Sequence, residues 1–329
     1  SLFVYINLNF LFLYNNNMNW KEKTILVTGG RGFSGSNLVK SLNQLKPKLI
    51  LNPSSQDYDL RFKENCAKIT QDVDIVFHLA AHVGGIGLNK EKPGELFYDN
   101  LLMGTYLIDE ARKNGVEKFI SLGTICSYPK ITNQPIKEEY LWEGFPEEVT
   151  SAYGLAKKMQ IVQSIAYKQQ YNFNSITIFM TNLYGPFDNV DDLDTSHVIP
   201  AIIKKIWNAK NNDQNFVELW GDGTPTRDFL YCDDASNGLI LAAEKYDKTE
   251  PLNLGSGMEI SIEELAQLIM KLMNIDLKIH WNSNMPNGQP RRCVSFEKAS
   301  NEIDFKPKTS LEDGLKKTIQ WFESFHTKN

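Results

Sequence analysis

The sequence predicts an α/β fold built on a doubly wound parallel sheet with helices on both faces. Short apolar runs of strand length recur along the first 180 or so residues. Longer helical patterns separate them, most clearly at 95–114 and 152–171. This alternation indicates parallel pairing, because each crossover helix returns the chain to the same edge of the sheet. The predicted strands are Thr24–Thr28, Lys48–Leu51, Ile75–Leu79, Lys118–Leu122 and Ser175–Phe179.

The composition of the chain argues against some classes of function. The 329 residues are 42% hydrophobic and 23% charged, which is ordinary for one or two globular domains. A formal net charge of -5 provides no basic surface for a phosphate backbone, so nucleic-acid binding is not expected. The scattered cysteines have no metal-ligand spacing, which predicts no metal site and favours free thiols in the cytoplasm. They are Cys66, Cys126, Cys232 and Cys293.

The first 17 residues differ from the rest of the chain. Their apolar run is broken by Asn7 and Asn9 and is too short to span a bilayer. It also lacks the basic start and the small-residue cleavage site of a signal peptide. Met18 opens a segment that reads like a natural start, so we interpret residues 1–17 as a non-native or disordered extension. The competing interpretation is a weak membrane anchor, and no membrane association is expected.

A glycine-rich loop follows the first predicted strand directly, and a predicted helix from Ser36 to Leu45 follows the loop. In a Rossmann-type sheet such glycines allow a tight turn and a close approach to a dinucleotide pyrophosphate, which binds at the helix N-terminus. The flanking strand and helix make this prediction specific; the alternative is a glycine-rich surface turn. The predicted contacts are Gly29, Gly30, Arg31, Gly32, Phe33, Ser34 and Gly35.

The type of dinucleotide depends on the end of the second strand. An acidic residue there would bind the ribose 2′-hydroxyl of NAD. This chain has Asn-Pro-Ser-Ser at 52–55 instead, and Arg31 is placed to reach a 2′-phosphate. NADP is therefore favoured, although Asp57 and Asp59 are close enough to leave the choice open. Asp59 and Leu60 are expected at the adenine.

Tyr153 and Lys157 indicate the chemistry. They are four residues apart in a predicted helix, so the phenol and the ammonium share one face. A neighbouring ammonium is expected to lower the pKa of the Tyr from about 10 toward neutral. With the hydroxyl of Thr124, the pair forms a proton-delivery set for ketone reduction or alcohol oxidation. Cys126 and His197 form a possible second acid/base pair, although either residue type is often structural.

These motifs resemble the extended short-chain dehydrogenase/reductases and, more narrowly, the GDP-L-fucose synthase family. The resemblance covers about residues 23–325. The glycine loop and Tyr-x-x-x-Lys are shared with the whole superfamily, whereas Cys-x-Tyr-Pro-Lys and Ser-His-Val-Ile-Pro are more specific. The matching stretches are 80–86, 122–130, 181–189, 196–200 and 220–230.

The resemblance implies NADPH-dependent 3,5-epimerisation and 4-keto reduction of GDP-4-keto-6-deoxy-D-mannose to GDP-L-fucose. Tyr153 would protonate the C4 oxygen, and Lys157 would lower its pKa and hold the nicotinamide ribose. Thr124 would replace the usual Ser and keep its hydroxyl. Cys126 and His197 would exchange the protons at C3 and C5, which the C4 ketone acidifies.

Ligand contacts follow from the same resemblance. The nucleotide diphosphate of a GDP-sugar would be held by cationic, aromatic and amide groups. These are Lys205, Trp220 and Arg227, with Asn287 and the Arg291/Arg292 pair as weaker candidates. The cofactor contacts would extend to Ser54, Ser55, Asp59, Leu60, Ala80, Ala81, Leu122, Gly123, Lys157, Met180, Asn182, Leu183 and His197.

The chain departs from the family pattern at three places. Thr124-Ile125 stands where the family has two Ser, His82 where it often has Lys, and Phe187 where it often has His. His82 is expected near the nicotinamide or the sugar. These departures bear on the sugar's identity more than on the type of reaction.

The spacing of elements predicts two domains. Residues 18–183 and 228–256 are assigned to an NADP-binding Rossmann domain, and 184–227 and 257–329 to a smaller, discontinuous α/β substrate-binding domain. Ser261 and Ser310 each precede an acidic residue three positions later, which predicts capped helix starts. The helices at 95–114 and 152–171 carry more apolar residues than a single sheet face is expected to cover. Together with the resemblance, this predicts a homodimer through a four-helix bundle.

Three other functions stay open. A GDP-mannose 3,5-epimerase would oxidise and re-reduce its substrate without net use of cofactor. A reductase of another nucleotide 4-keto sugar, such as a colitose or heptose precursor, would share the same residues. A non-catalytic dinucleotide sensor is disfavoured, because Thr124, Tyr153 and Lys157 are all retained.

Overall fold

The computed structural model describes residues 18–190, 196–285 and 287–326, so the extension predicted at 1–17 lies outside the described residues. The strands are β1 Thr24–Thr28, β2 Leu49–Leu51, β3 Ile75–His78, β4 Lys118–Leu122, β5 Ser175–Met180, β6 Asn182–Tyr184, β7 Phe216–Trp220, β8 Thr226–Tyr231, β9 Leu252–Leu254, β10 Glu259–Ser261, β11 Lys278–Asn282 and β12 Arg291–Arg292. The α-helices are α1 Phe33–Gln44, α2 Lys63–Ile69, α3 Ile86–Glu91, α4 Pro93–Lys113, α5 Ser151–Tyr171, α6 Val198–Asn211, α7 Cys232–Lys245, α8 Ile262–Leu272, α9 Glu297–Ile303 and α10 Leu311–His326. Short 3₁₀ turns occur at Trp20–Glu22, Ile125–Ser127, Glu138–Trp142 and Glu148–Thr150.

A six-stranded parallel sheet forms the first layer, in the order β2-β1-β3-β4-β5-β9. Every residue of β1, β3 and β5 is buried, because helices cover both faces of the sheet. Burial in these strands is therefore continuous rather than alternating. The predicted doubly wound α/β fold is confirmed, and the carboxyl ends of the strands meet at one edge.

A second hydrophobic core lies beyond that edge. Helices α6, α8 and α10 pack around β7, β8 and their neighbours, with Ile206, Ile269 and Phe322 at the centre. Strand β7 buries alternate residues, as expected for a strand covered on one face. Among the described helices, none combines the length and apolarity that crossing a bilayer requires.

The predicted division into two domains stays a prediction. The hydrophobic clusters assign α9 to the first core, because Ala299, Ile303 and Phe305 pack in the same cluster as Leu254 of β9. The sequence division placed this helix in the substrate domain.

Helix starts follow the chemistry of their first turns. Ser261 and Glu264 form the reciprocal capping box that was predicted. Ser310 Oγ accepts the amide N–H of Asp313 at 3.1 Å, as predicted for the last helix. Helix α1 begins at Phe33 instead of Ser36, because Gly35 belongs to the first helical turn rather than to the loop.

Candidate active site

One large cavity, with a volume of about 1430 Å³, lies at the carboxyl edge of the parallel sheet. The glycine loop and the ends of β3, β4 and β5 form one wall, and residues of α6, β8 and α8 form the other. The cavity brings together all of the predicted catalytic side chains. They are Thr124, Cys126, Tyr153, Lys157 and His197.

The glycine loop has the shape that a dinucleotide pyrophosphate needs. Gly29 has φ +71°, and a Cβ there would lie 2.7 Å from the amide nitrogen of Ala80. A Cβ on Gly35 would overlap the Gly29 carbonyl oxygen. The N-terminal turn of α1 lines the cavity, and its first N–H groups have no partners within the helix. The residues present therefore fit a bound dinucleotide.

The predicted cofactor residues line this cavity, with one exception among those described. Gly30 lies behind the wall, where a Cβ would come 2.7 Å from the Asn52 Cβ. Gly30 thus serves the packing of the loop on β2.

Arg31 lines the cavity within the glycine loop. Its side chain is 64% exposed, and its guanidinium is 4.0 Å from Asp57. Ser54 donates a hydrogen bond of 2.6 Å to Asp57, which lowers the pKa of that carboxyl and keeps it anionic. Asp59 is held by Arg61 at 2.7 Å instead. Arg31 is thus an exposed cation in the cavity, and its guanidinium has only a long contact with the Asp57 carboxylate.

Tyr153 and Lys157 lie on the cavity-facing side of α5, at the end of β4. Burial lowers the pKa of Lys157 to about 8. Burial also raises the pKa of Tyr153, Cys126 raises it further, and a hydrogen bond with Thr124 offsets part of the rise. The sequence predicted a lowered pKa for the phenol, and this direction is wrong because burial dominates. The phenol is protonated at neutral pH, which is the form that donates a proton.

Cys126 lies in a short turn that two other elements hold in place. Thr124 Oγ1 accepts the Cys126 amide at 3.2 Å and caps the turn. On one side, Ser127 donates to the Gly154 carbonyl of α5 at 2.8 Å, and a Cβ on Gly154 would overlap the Cys126 carbonyl. On the other side, the buried Arg292 donates to the Ile125 carbonyl at 2.5 Å.

His197 stands at the N-cap of α6, on the wall opposite α5. Its Nδ1 lies 3.0 and 3.1 Å from the two carboxylate oxygens of Asp188. The hydrogen bond with Asp188 raises the pKa of the imidazole. Sequence reasoning did not identify Asp188, which reads as one of several acids in a loop.

His82 also lines the cavity and has a carboxylate partner of its own. Its Nδ1 is 2.8 Å from Asp99, the seventh residue of α4. Asn100 clamps the His82 backbone, accepting its amide at 3.1 Å and donating to its carbonyl at 2.7 Å. The expected location of His82 beside the ligand space agrees with this geometry.

The predicted substrate residues divide into two groups. Trp220, Arg227 and Asn287 line the cavity, and burial lowers the pKa of Arg227 to about 10. Lys205 lies behind them, with Nζ 5.2 Å from the Trp220 ring centroid. Arg291 points away from the cavity and binds both oxygens of Glu259, at 2.8 to 3.0 Å. The inward-facing member of that arginine pair is Arg292, which the sequence ranked equally.

Comparisons with curated proteins cover nearly the whole chain. The GDP-L-fucose synthase of Sinorhizobium fredii is 40% identical over 304 residues, which is 92% of this chain and 96% of that protein. The enzyme of the same name from Escherichia coli K12 is 32% identical and covers 92% and 97%. The GDP-L-colitose synthase of Yersinia pseudotuberculosis is 30% identical and covers 91% and 97%.

Solved structures agree with these relatives. A GDP-L-fucose synthetase from Naegleria fowleri superposes with a TM-score of 0.86 at 28% identity, covering 93% of this chain and 95% of that one. The same enzyme bound to NADP gives 0.85 at 29% identity, covering 93% and 94%. The profile of the NAD dependent epimerase/dehydratase family matches residues 25–255. This chain therefore belongs to the NAD dependent epimerase/dehydratase family.

Proposed function

We propose that this protein epimerises GDP-4-keto-6-deoxy-D-mannose at C3 and C5 and then reduces C4 with NADPH, giving GDP-L-fucose. One observation carries the proposal: both proton-handling sets, Tyr153 with Lys157 and Cys126 with His197, face a single cavity beside the dinucleotide loop. A reductase alone needs the first set, and an epimerase that uses a C4 ketone needs the second. The relatives named GDP-L-fucose synthase support this combination.

The cofactor is NADP(H). Bound in the cavity, it would supply the hydride that attacks C4. The glycine loop and the first turn of α1 would hold its pyrophosphate, and Arg31, whose contact with Asp57 is as long as 4.0 Å, would bind its 2′-phosphate.

In the reduction step, Tyr153 donates its phenolic proton to the C4 oxygen as negative charge develops there. Thr124 binds the same oxygen and orients it. Lys157, whose pKa burial lowers to about 8, is close enough to neutrality to return a proton to the phenol.

In the epimerisation steps, the C4 ketone acidifies the hydrogens at C3 and C5. Cys126 and His197 both line the cavity, and in the proposed mechanism one removes a proton while the other returns one from the opposite face of the sugar. His197 suits the donor role, because Asp188 raises the pKa of its imidazole. Cys126 takes the base role, and the buried Arg292 holds its turn in place through the carbonyl of the preceding residue, Ile125.

The GDP moiety of the substrate lies at the far end of the cavity. Trp220 offers a ring face, Arg227 a partly buried cation for the diphosphate, and Asn287 an amide. Lys205 reinforces this end through its contact with the Trp220 ring. Arg291 is left out of this assignment, because Glu259 holds it outside.

We also propose that the protein is a homodimer and acts in the cytoplasm. Helices α4 and α5 pack against each other, and apolar side chains on both remain exposed. They are Phe97, Tyr98, Met159, Val162 and Ile165. A second copy that covers them forms a four-helix bundle. All four cysteines are free thiols, which is typical of a reducing compartment.

Reduction of another nucleotide 4-keto sugar is the second candidate. His82 and its partner Asp99 occupy the cavity wall where the family often has Lys, so the polar groups offered to the sugar differ. Structural relatives include a GDP-mannoheptose C4 reductase from Campylobacter jejuni, with a TM-score of 0.82 at 26% identity.

The test is loss of NADPH absorbance with purified protein and GDP-4-keto-6-deoxy-D-mannose, with NADH in parallel. We expect oxidation of NADPH in preference to NADH and a product that co-elutes with GDP-L-fucose. Oxidation of NADPH only with a different keto sugar would establish the second candidate. Deuterium uptake at C3 and C5 without any cofactor oxidation would show a redox-neutral epimerase instead.

A further inference from the structure

Asp188 is a buried carboxylate at the edge of the candidate active site. Only 3% of its side chain is exposed, whereas the His197 side chain beside it is 64% exposed. Its contacts in the described part of the chain are the His197 ring and the amide of Asn189, which donates to Oδ1 at 2.8 Å. A buried carboxylate requires charged or hydrogen-bonding partners, and here the cationic one is an imidazole that faces the cavity.

The backbone before Asp188 is shaped to turn this carboxylate inward. Phe187 has φ +72°, a left-handed conformation that a bulky residue rarely adopts. The preceding Pro186 carbonyl is anchored to α1 by the amide of Asn37, at 3.1 Å. A conformation of this kind persists only where surrounding contacts determine it, and it is concentrated at functional sites.

The contact fixes which nitrogen of His197 is available for chemistry. Both carboxylate oxygens lie within 3.1 Å of Nδ1, so that nitrogen carries a proton and donates it to Asp188. The ring nitrogen on the other side, Nε2, is left for the cavity that His197 lines. Phe33 of α1 packs on the ring with centroids 6.4 Å apart and brings no charge. Among the described residues, Asp188 is the charged group in contact with the imidazole.

We propose that Asp188 is a positioning residue for epimerisation, which orients His197 and stabilises its imidazolium so that Nε2 delivers a proton to the sugar carbon. This inference rests on the proposed function, since it assumes that His197 handles a sugar proton. It deepens that function by adding a residue that never touches the substrate. The protons balance, because His197 gives one proton to the carbanion formed beside the ketone and later regains one from solvent.

The test compares Asp188→Asn with wild type in two half-reactions. Deuterium uptake from solvent at C3 and C5 of the 4-keto substrate reports epimerisation. Oxidation of GDP-L-fucose by NADP⁺ reports hydride transfer alone. We expect exchange to fall by about tenfold or more, within the range of acid/base contributions, while oxidation stays within about twofold of wild type. Asp213→Asn, an exposed acid two residues after the end of α6, is the control and should change neither.

The pH profile separates positioning from simple packing. Because Asp188 raises the pKa of His197, the acid form persists to higher pH in wild type. The alkaline limb of the exchange profile should therefore move to lower pH in Asp188→Asn. Titration of the His197 imidazole by NMR, assigned with His197→Asn, should show the same displacement.

Each outcome decides one question. If wild type shows no exchange, the proposed function fails, and the NMR titration still shows whether Asp188 controls His197. If exchange is present and Asp188→Asn leaves both the rate and the His197 titration unchanged, the inference is overturned. If Asp188→Asn does not fold, Asp188→Glu takes its place in the test. This variant keeps the negative charge, so the pKa of the His197 imidazole should stay raised. Deuterium exchange should still fall, because the longer side chain misplaces the carboxylate and the ring that it orients. A folded Asp188→Glu variant that exchanges deuterium at the wild-type rate, although its His197 titration is displaced, would also overturn the inference.

Discussion

At the scale of single residues, the surroundings in the site shift the pKa values of ordinary side chains in different directions. Burial raises the pKa of Tyr153 and lowers that of Lys157 to about 8, while Asp188 raises that of His197. The phenol therefore keeps its proton near neutral pH, and Asp188 favours the protonated form of the imidazole. Groups whose environments separate their pKa values are the usual acid and base of an enzyme.

Replacing Tyr153 by Phe should abolish reduction while leaving cofactor binding intact. The change removes the proton donor to the C4 oxygen and nothing from the dinucleotide loop. We expect turnover to fall by about 10² to 10⁴ in the NADPH absorbance assay. NADPH affinity, measured by fluorescence titration, should be unchanged. Turnover near that of wild type would refute the assignment.

Replacing Cys126 by Ser should slow deuterium exchange at C3 and C5 more than hydride transfer. A hydroxyl is a far weaker base than a thiol near neutral pH. NMR of the recovered sugar measures the exchange. Cys66→Ser is the matched control, because Cys66 is buried away from the cavity and its thiol donates to the Leu60 carbonyl as a hydroxyl also can. Equal exchange in Cys126→Ser and the control would exclude Cys126 as a base.

Replacing Arg31 by Ala should raise KM for NADPH and leave KM for NADH nearly unchanged. The guanidinium binds the 2′-phosphate that only NADPH carries, and a hydrogen bond to a charged group contributes about 1.5–3 kcal/mol, or roughly tenfold to a hundredfold. Steady-state kinetics with both cofactors measure the difference. A parallel increase for both would indicate that Arg31 supports the loop rather than the phosphate.

At the scale of elements, α5 has two functions on two faces. One face presents Tyr153 and Lys157 to the cavity. Farther along, Met159, Val162 and Ile165 repeat at intervals of three and stay partly exposed. The same helix thus carries the catalytic groups and the proposed contact between two copies.

Charges on that exposed face should separate the dimer. We expect a Val162→Glu, Ile165→Glu double variant to be monomeric by light scattering, because charges of the same sign from the two copies would be buried together. The control is Leu49→Glu, another exposed apolar residue, on the edge strand β2. A monomeric wild type, or a double variant of unchanged mass, would contradict the proposed bundle.

The sequence predicted elements better than it predicted contacts between distant segments. The strand at Thr24–Thr28 and the capping box at Ser261 depend on neighbours in sequence, so periodicity and spacing were enough. The partnership of Asp188 with His197 depends on a loop turning back on the start of α6, which no local pattern encodes. Arg292 reaches Ile125 across 167 positions, so only the fold shows which arginine of the pair faces inward.

At the scale of the whole molecule, the cavity lies between two hydrophobic cores. The sheet core provides the dinucleotide loop, and the core around α6, α8 and α10 provides Arg227 and His197 on the opposite wall. A ligand in the cavity contacts both. Its binding therefore couples the stabilities of the two halves.

NADPH should stabilise the folded protein as a whole. At one hundred times its Kd, a ligand that binds only the folded state adds about 2.7 kcal/mol to the free energy of unfolding. We expect a single thermal transition that moves to higher temperature with NADPH, and a smaller movement for Arg31→Ala at the same concentration. Two separate transitions, of which only one responds to NADPH, would show that the cores unfold independently.

The close contact between Gly154 and the Cys126 carbonyl has a consequence for how such an enzyme changes its substrate. Helix α5, which carries Tyr153, and the turn that carries Cys126 touch backbone to backbone at Gly154, where a Cβ would overlap the Cys126 carbonyl oxygen. Neither can be moved to suit a new sugar without displacing the other. Adaptation to a different hexose or heptose must therefore occur on the remaining walls, where His82 and the segment around Phe187 already depart from their relatives' pattern.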